Sequence, residues 1–233
     1  MRLRLAAAAL LVAALVARDA GAQAALPMSY DAPPPVRSFS ADWHMGRARD
    51  HRHAGRFDQA LAAIDSALQA DPATRGAHTM RALVLAEKQD QAGTLGALRR
   101  ARSVGDTLAF PAAMQVGTAQ YRTASLTRKP ADYEVALQTL QLADSLAPSE
   151  ERRAMPRLLV AATALALANG QLAAPGEATG CPSIAAARGH MQLANASLAG
   201  ADSAPRAQVQ RVRSALNVLA MYTELQARQL RCA

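Results

Sequence analysis

The chain of 233 residues carries 26 Lys and Arg against 18 Asp and Glu, a net charge of +8, and only 3% of its residues are aromatic. A basic balance of this size suggests nucleic acid in a cytoplasmic protein, but aromatic platforms for single strands are scarce and the N-terminus argues for export. Acidic proteins, an anionic lipid surface, or water alone remain as counterparts of the basic surface.

Residues 1–24, MRLRLAAAALLVAALVARDAGAQA, begin with Arg2 and Arg4, continue with an apolar run from Leu5 to Val16, and end on Ala22 and Ala24 around Gln23. This is the three-part pattern of a secretory signal. A membrane-spanning helix needs about 20 apolar residues, more than this run offers, although an uncleaved anchor is the rival reading. No Cys lies near the junction, so no lipid anchor is indicated. Cleavage after Ala24 would leave 209 residues with a net charge of +6 (23 basic, 17 acidic), in the periplasm or secreted. Residues 25–39, with Pro27 and the run Pro33, Pro34 and Pro35, favour an extended arm over a helix.

From residue 40 onward the composition is Ala-rich, with no alternating apolar pattern, and predicts an all-α protein. Nine helices are expected at 40–54, 57–70, 74–88, 91–104, 110–127, 132–147, 150–169, 183–199 and 204–230. Gly55, Asp71-Pro72, Gly105-Asp106, Lys129-Pro130, Pro148-Ser149 and Asn169-Gly170 fall between them, and Ser149 and Ser203 are candidate N-caps.

Two stretches, GRFDQALAAIDSALQADP at 55–72 and PADYEVALQTLQLADSLAP at 130–148, superpose with one constant offset in numbering. Phe57 falls on Tyr133, Ala60 on Ala136, Leu61 on Leu137, Ile64 on Leu140, Ala67 on Ala143 and Pro72 on Pro148. The offset, 76 positions, equals two periods of 34 plus 8. A fainter middle copy sits one such period along, where Ala48 recurs as Ala82 and Ala67 as Ala101. Small residues let paired helices approach, so Ala48 is expected to face Ala60, and Pro72 and Pro148 to stop each second helix.

A 34-residue period of paired helices with a late aromatic, small residues and a terminal Pro resembles the tetratricopeptide repeat (TPR). That resemblance implies a TPR-like α-solenoid of antiparallel helix pairs. Three units would cover 40–148, followed by a divergent helical pair and cap at 149–233. The unit at 74–105 is degenerate, with Gln91 in the aromatic place and Thr94 in an Ala place, and Gly117 would be the small residue of the third unit's first helix. In the last part, LLVAATALALA at 158–168 is apolar on every side and reads as a helix buried between neighbours. The helix at 204–230, with Val209, Val212, Leu216, Leu219 and Ala220 at helical spacing, reads as the long C-terminal capping helix such a stack requires.

Cys181 and Cys232, an even count in an exported chain, predict one disulfide tying the C-terminus to an internal loop. His44, His51 and His53 with Asp50 are the only cluster that invites a metal, but His53 points away from His51 on a helix and no further acidic or Cys residue completes a ligand set. No nucleophile elbow, phosphate loop or HExxH occurs, and Glu150-Glu151 suits a helix N-terminus. No catalytic residue, metal or cofactor is therefore expected, and Asn195-Ala196-Ser197 is read as a chance sequon.

The resemblance further implies a concave groove lined by the first helix of each unit. Here that face would present Met45, Arg49, Arg52 and His53, then Leu83, then Met114, Tyr121 and Arg122, with Asp42, Thr79, Glu87 and Thr118 beside them. The best-known TPR groove clamps a C-terminal carboxylate with Lys and Asn. This chain departs from it, with Met45, Arg49, Met80, Pro111 and Gln115 at those places. The expected role is a non-enzymatic protein–protein interaction or scaffold protein of the bacterial envelope. Its partner would be another envelope protein offering an acidic-apolar segment, with no nucleic acid and no membrane span in the mature chain. The alternatives are an accessory structural subunit docking on a membrane protein complex and, third, an enzyme of unknown type.

Overall fold

The structure, a computed structural model, describes residues 39–173 and 180–232. The expected signal segment and all but the last residue of the expected arm lie outside the described residues. Among the described residues there are nine helices and no strand, so the fold is all-α. They are α1 (Phe39–His53), α2 (Phe57–Ala70), α3 (Ala77–Glu87), α4 (Gln91–Ser103), α5 (Ala109–Thr127), α6 (Pro130–Leu146), α7 (Glu150–Ala173), α8 (Cys181–Ala199) and α9 (Arg206–Leu230).

Two compact units divide within α5, between Val116 and Gly117. In the first, α1 packs on α2, α2 on α3 and α3 on α4. Met45 and Ala48 of α1, Ala60, Ala63, Ile64 and Ala67 of α2, and Ala77, Met80 and Val84 of α3 form one apolar cluster, with Phe57, Leu61 and Leu68 packed against its edge. Ala48 and Ala60 are both fully enclosed, so alanine's lack of bulk sets the close approach of α1 and α2.

The connections within this unit repeat. After α1, Gly55 at φ 70° donates its N–H to the Arg52 carbonyl (3.0 Å), Arg56 to His51 (2.8 Å) and Ala60 to Arg56 (3.0 Å). After α3, Gln89 at φ 63° donates to Ala86 (3.0 Å), Asp90 to Leu85 (2.9 Å) and Thr94 to Asp90 (2.9 Å). Every donor and acceptor of the first set has its counterpart in the second 34 positions further along the chain. The left-handed turn residue is glycine once and glutamine once, which is why the second copy is faint in sequence. The turns that follow α2 and α4 match as well. Asp71 accepts from the Ala73 N–H through its side chain at 2.9 Å, and Asp106 from the Leu108 N–H at 3.0 Å. Asp106 also accepts a 2.6 Å hydrogen bond from the buried Thr79 hydroxyl, which ties α3 to the start of α5.

The second unit holds Gly117 onward. Here α6 packs on α7, α7 on α8, and α9 on both α8 and α7. A Cβ built on Gly117 would meet the Leu140 side chain at 2.8 Å, so glycine is what lets α5 close on α6. Ala124, which stands to Ala48 as Tyr133 stands to Phe57, is also fully enclosed, so it shares with Gly117 the small-residue role expected of glycine alone. Tyr121 and Tyr133 meet edge to face at 6.3 Å between ring centres. The α7 stretch 158–168 is buried along nearly its whole length against α6, α8 and α9, as expected for an enclosed helix. Arg157 of α7 joins three segments: it donates to Asp144 (3.1 Å), to Glu150 (2.9 Å) and to the Gly200 carbonyl (3.1 Å). Cys181, the first residue of α8, is disulfide-bonded to Cys232 beyond α9, with 5.4 Å between their Cα atoms. Arg188 pairs with Glu224 across α8 and α9.

Residues that superpose between the two repeated stretches share their environments: Ala60 and Ala136, Ile64 and Leu140, and Ala67 and Ala143 are all 0% exposed. In the degenerate copy, Thr94 is equally enclosed, and its hydroxyl bonds the Asp90 carbonyl at 2.7 Å. A threonine fits an alanine slot when its hydroxyl is satisfied by its own helix.

Three boundary differences change the role expected of a residue. Helix α3 starts at Ala77 and not at 74, because Thr74 is spent on a turn, its hydroxyl bonding the Asp71 carbonyl at 2.6 Å. Helix α7 continues past Asn169-Gly170 to Ala173, carrying Leu172 into the core. Helix α9 starts after Pro205, so Ser203 is not its N-cap, whereas Ser149 does accept from the Arg152 N–H at 3.3 Å at the start of α7.

Candidate functional site

The residues expected to line a groove divide between the two units. Met45, Arg49, Arg52, His53, Leu83 and Met114 belong to the first, and Tyr121 and Arg122 to the second. Burial sorts them further. Met45 (6% exposed) belongs to the α1–α2–α3 cluster, Leu83 is 4% exposed, and Tyr121 is 0% exposed against Tyr133. These three apolar side chains occupy interior positions. An apolar residue at helical spacing marks a buried face before it marks a binding face, and here the core claims them. Thr79 and Thr118 are likewise buried, while Met114 and Arg122 are half-buried.

Apart from Trp43, what α1 leaves at the surface is polar. Arg49 and His53, one turn apart, are exposed. Arg52 is half-buried and is committed to Glu87 of α3, with Nε at 3.0 Å and Nη2 at 2.6 Å from one carboxylate oxygen. The Arg52–Glu87 pair draws the end of α1 to the end of α3 and fixes the spacing of the two helices along this edge. Trp43, the only Trp in the chain, is 52% exposed with the Arg47 guanidinium 5.0 Å over its ring. That stacked pair was missed in the sequence, although the i, i+4 spacing of Trp43 and Arg47 was legible there.

The carboxylates are largely consumed inside the units. Asp58 pairs with Lys88, Asp65 with Arg81, Glu87 with Arg52, Asp144 with Arg157, Glu150 with Arg153 and Arg157, and Glu224 with Arg188. Asp71, Asp90 and Asp106 accept from turn and helix N-terminal N–H groups. Charge of both signs is left at the surface: among the described residues Arg56, Arg99, Arg122, Arg206 and Arg213 meet no carboxylate, and the exposed Asp50, Glu134, Glu151 and Asp202 meet no cation.

Three groups titrate away from their ordinary values. His78 on α3 is held below 6.5, first by burial and then by the charges of Arg81 and Arg100, with Asp106 opposing. Burial raises the Tyr121 phenol well above its ordinary value, and the neighbouring Tyr133 adds to this while Ser125 opposes it. Tyr133 is raised for the same first reason. Among the described residues no group of three or more His, Cys, Asp or Glu is placed to hold a metal ion, and no helix is long and apolar enough to cross a membrane. Compared with known proteins, the chain matches no family model, no curated protein and no solved structure.

Proposed function

We propose that the chain is a non-enzymatic scaffold of the bacterial envelope. In this reading TPR-like helix pairs stack antiparallel, the long α9 closes the stack, and an acidic-apolar segment of another envelope protein binds along the face formed by α1 and α3. The observation that carries it is the duplicated connection after α1 and α3, in which the same hydrogen bonds recur one repeat period apart around the same enclosed small residues. A chain that repeats a helix pair builds a surface by stacking, and its surfaces serve binding more readily than reaction. The chemistry of the partner follows from charge. Arg49 and His53 stand exposed one turn apart on α1, and a forked guanidinium matches a partner's carboxylate. Export, the basis for an envelope location, rests on the N-terminal pattern and is supported by the Cys181–Cys232 bond.

Crosslinking the mature protein in its native envelope and mapping the crosslinks tests the reading. Crosslinks to one partner concentrated near Arg49, His53 and Glu87 are expected. A crosslink map that leaves α1 and α3 untouched, or turnover of a substrate by the purified chain, would reject it.

A further inference from the structure

Helix α9 is apolar on two opposite sides. Val209, Val212, Leu216, Leu219 and Ala227 are buried toward α8 and α7. On the other side Val218 (43% exposed), Met221 (71%) and Leu225 (49%), with the half-buried Tyr222 among them, follow one another at intervals of three and four residues. With 3.6 residues per turn these four fall in one stripe, about 10 Å long. A helix that ended an array against water would carry a polar outer face, so this stripe calls for a covering group.

Three occupants compete, and charge and dimensions separate them. Arg206, Arg211, Arg213 and Arg228 lie on α9 against Glu224 alone, and Glu224 is held by Arg188 at 3.1 Å. Arg206, Arg213 and Arg228 meet no carboxylate among the described residues. A second copy of the chain would set these guanidinium groups against each other. A lipid surface would ask for bulky aromatic and Leu side chains with cations on both flanks. Here Gln210, Asn217, Gln226 and Gln229 border a stripe one side chain wide. That width and the three-and-four spacing fit the seam of one opposing helix. We propose that the outer stripe of α9 docks a single amphipathic helix of another protein, whose apolar seam is flanked by Asp or Glu. This rests on α9 alone and stands or falls separately from the face formed by α1 and α3.

The test uses the full mature chain and two labelled helical peptides of about 20 residues, long enough to hold a helix. One has a Leu seam flanked by Glu and the other the same seam flanked by Lys. Fluorescence anisotropy is expected to show binding of the Glu peptide in preference to the Lys peptide. The variants Met221→Glu and Leu225→Glu each weaken it by about tenfold or more, equivalent to 1.4 kcal/mol. Both positions are exposed, so helicity and melting temperature should be retained and the loss read as binding. Arg228→Glu should shift the preference toward the Lys peptide. Equal binding of the two peptides, no binding of either, or indifference to the variants overturns the proposal. So does adsorption to phosphatidylglycerol–phosphatidylethanolamine vesicles without peptide binding, which assigns the stripe to lipid. A dimer in sedimentation equilibrium that Leu225→Glu dissociates overturns it in favour of a second copy.

Discussion

Gly117 and Gly96 stand in similar helical backbone and differ in what lies beyond the missing side chain. A Cβ at Gly117 would come within 2.8 Å of Leu140 Cδ2 and 3.0 Å of its Cγ, and Leu140 is fully enclosed and has nowhere to go. At Gly96 in α4 and Gly189 in α8 nothing lies within 4 Å. Gly117→Ala should therefore destabilise the protein by ~1 kcal/mol or more, overpacking outweighing the gain in helix propensity. Gly96→Ala and Gly189→Ala should each stabilise it by ~0.5–1 kcal/mol. Urea unfolding of the three variants checks the opposite signs. His78 gives a second residue-scale expectation. Its folded-state pKa lies below 6.5 through burial and the charges of Arg81 and Arg100. The unfolded chain then takes up the proton first, so the His78 contribution is fully present above 6.5 and is lost as pH falls below that value and through the folded pKa. His78→Gln should lose less stability than the native chain between neutral and mildly acidic pH. Melting curves across that range measure the difference, and identical curves would refute it.

At the scale of elements, helix number and order were legible because Pro and Gly mark the breaks: Pro130 is the first residue of α6, and Gly55 and Gly105 stand at positive φ after α1 and α4. The start of α3 was not legible, since Thr74 suits a helix as well as the turn it joins, and only its bonds to Asp71 and Ala67 decide. The pairing of Cys181 with Cys232 was legible from an even count of two, but which elements it secures was not. It fastens the far end of α9 to the first residue of α8, the helix whose Arg188 meets Glu224 of α9. Replacing both cysteines by Ser should lower stability by no more than ~4 kcal/mol, the loop-entropy value for a span of this length. The change should concentrate in the last turns of α9. Hydrogen exchange is expected to speed up there and to stay unchanged in α1–α4, and a uniform increase would contradict this account of the bond.

At the scale of the whole molecule, the positive charge is sorted by structure. Many carboxylates are drawn into ion pairs and turns, while several arginines meet no carboxylate. Net charge was readable from composition, but this sorting depends on pairs distant in sequence, such as Arg52 with Glu87 and Arg157 with the Gly200 carbonyl. Of the expected groove residues, Arg49 and His53 lie at the surface, whereas Met45, Leu83 and Tyr121 are buried. Met45, Leu83 and Tyr121 have the right spacing for a face, and spacing alone does not tell an enclosed face from an open one. Apart from Trp43, the surface that remains on α1 is polar, so partner binding there should be weak to moderate and should fall as salt rises, because exposed charges are screened beyond about 8–10 Å.

The most direct measurement is capture of envelope proteins by the purified mature chain at low and high salt, comparing the native protein with an Arg49→Glu, His53→Glu double variant. Both substituted side chains are exposed, so the variant should keep its helicity. The account predicts that the native chain retains a specific partner at low salt, loses it as salt rises, and loses it at low salt in the double variant. Undiminished capture by the variant, independent of salt, would contradict it.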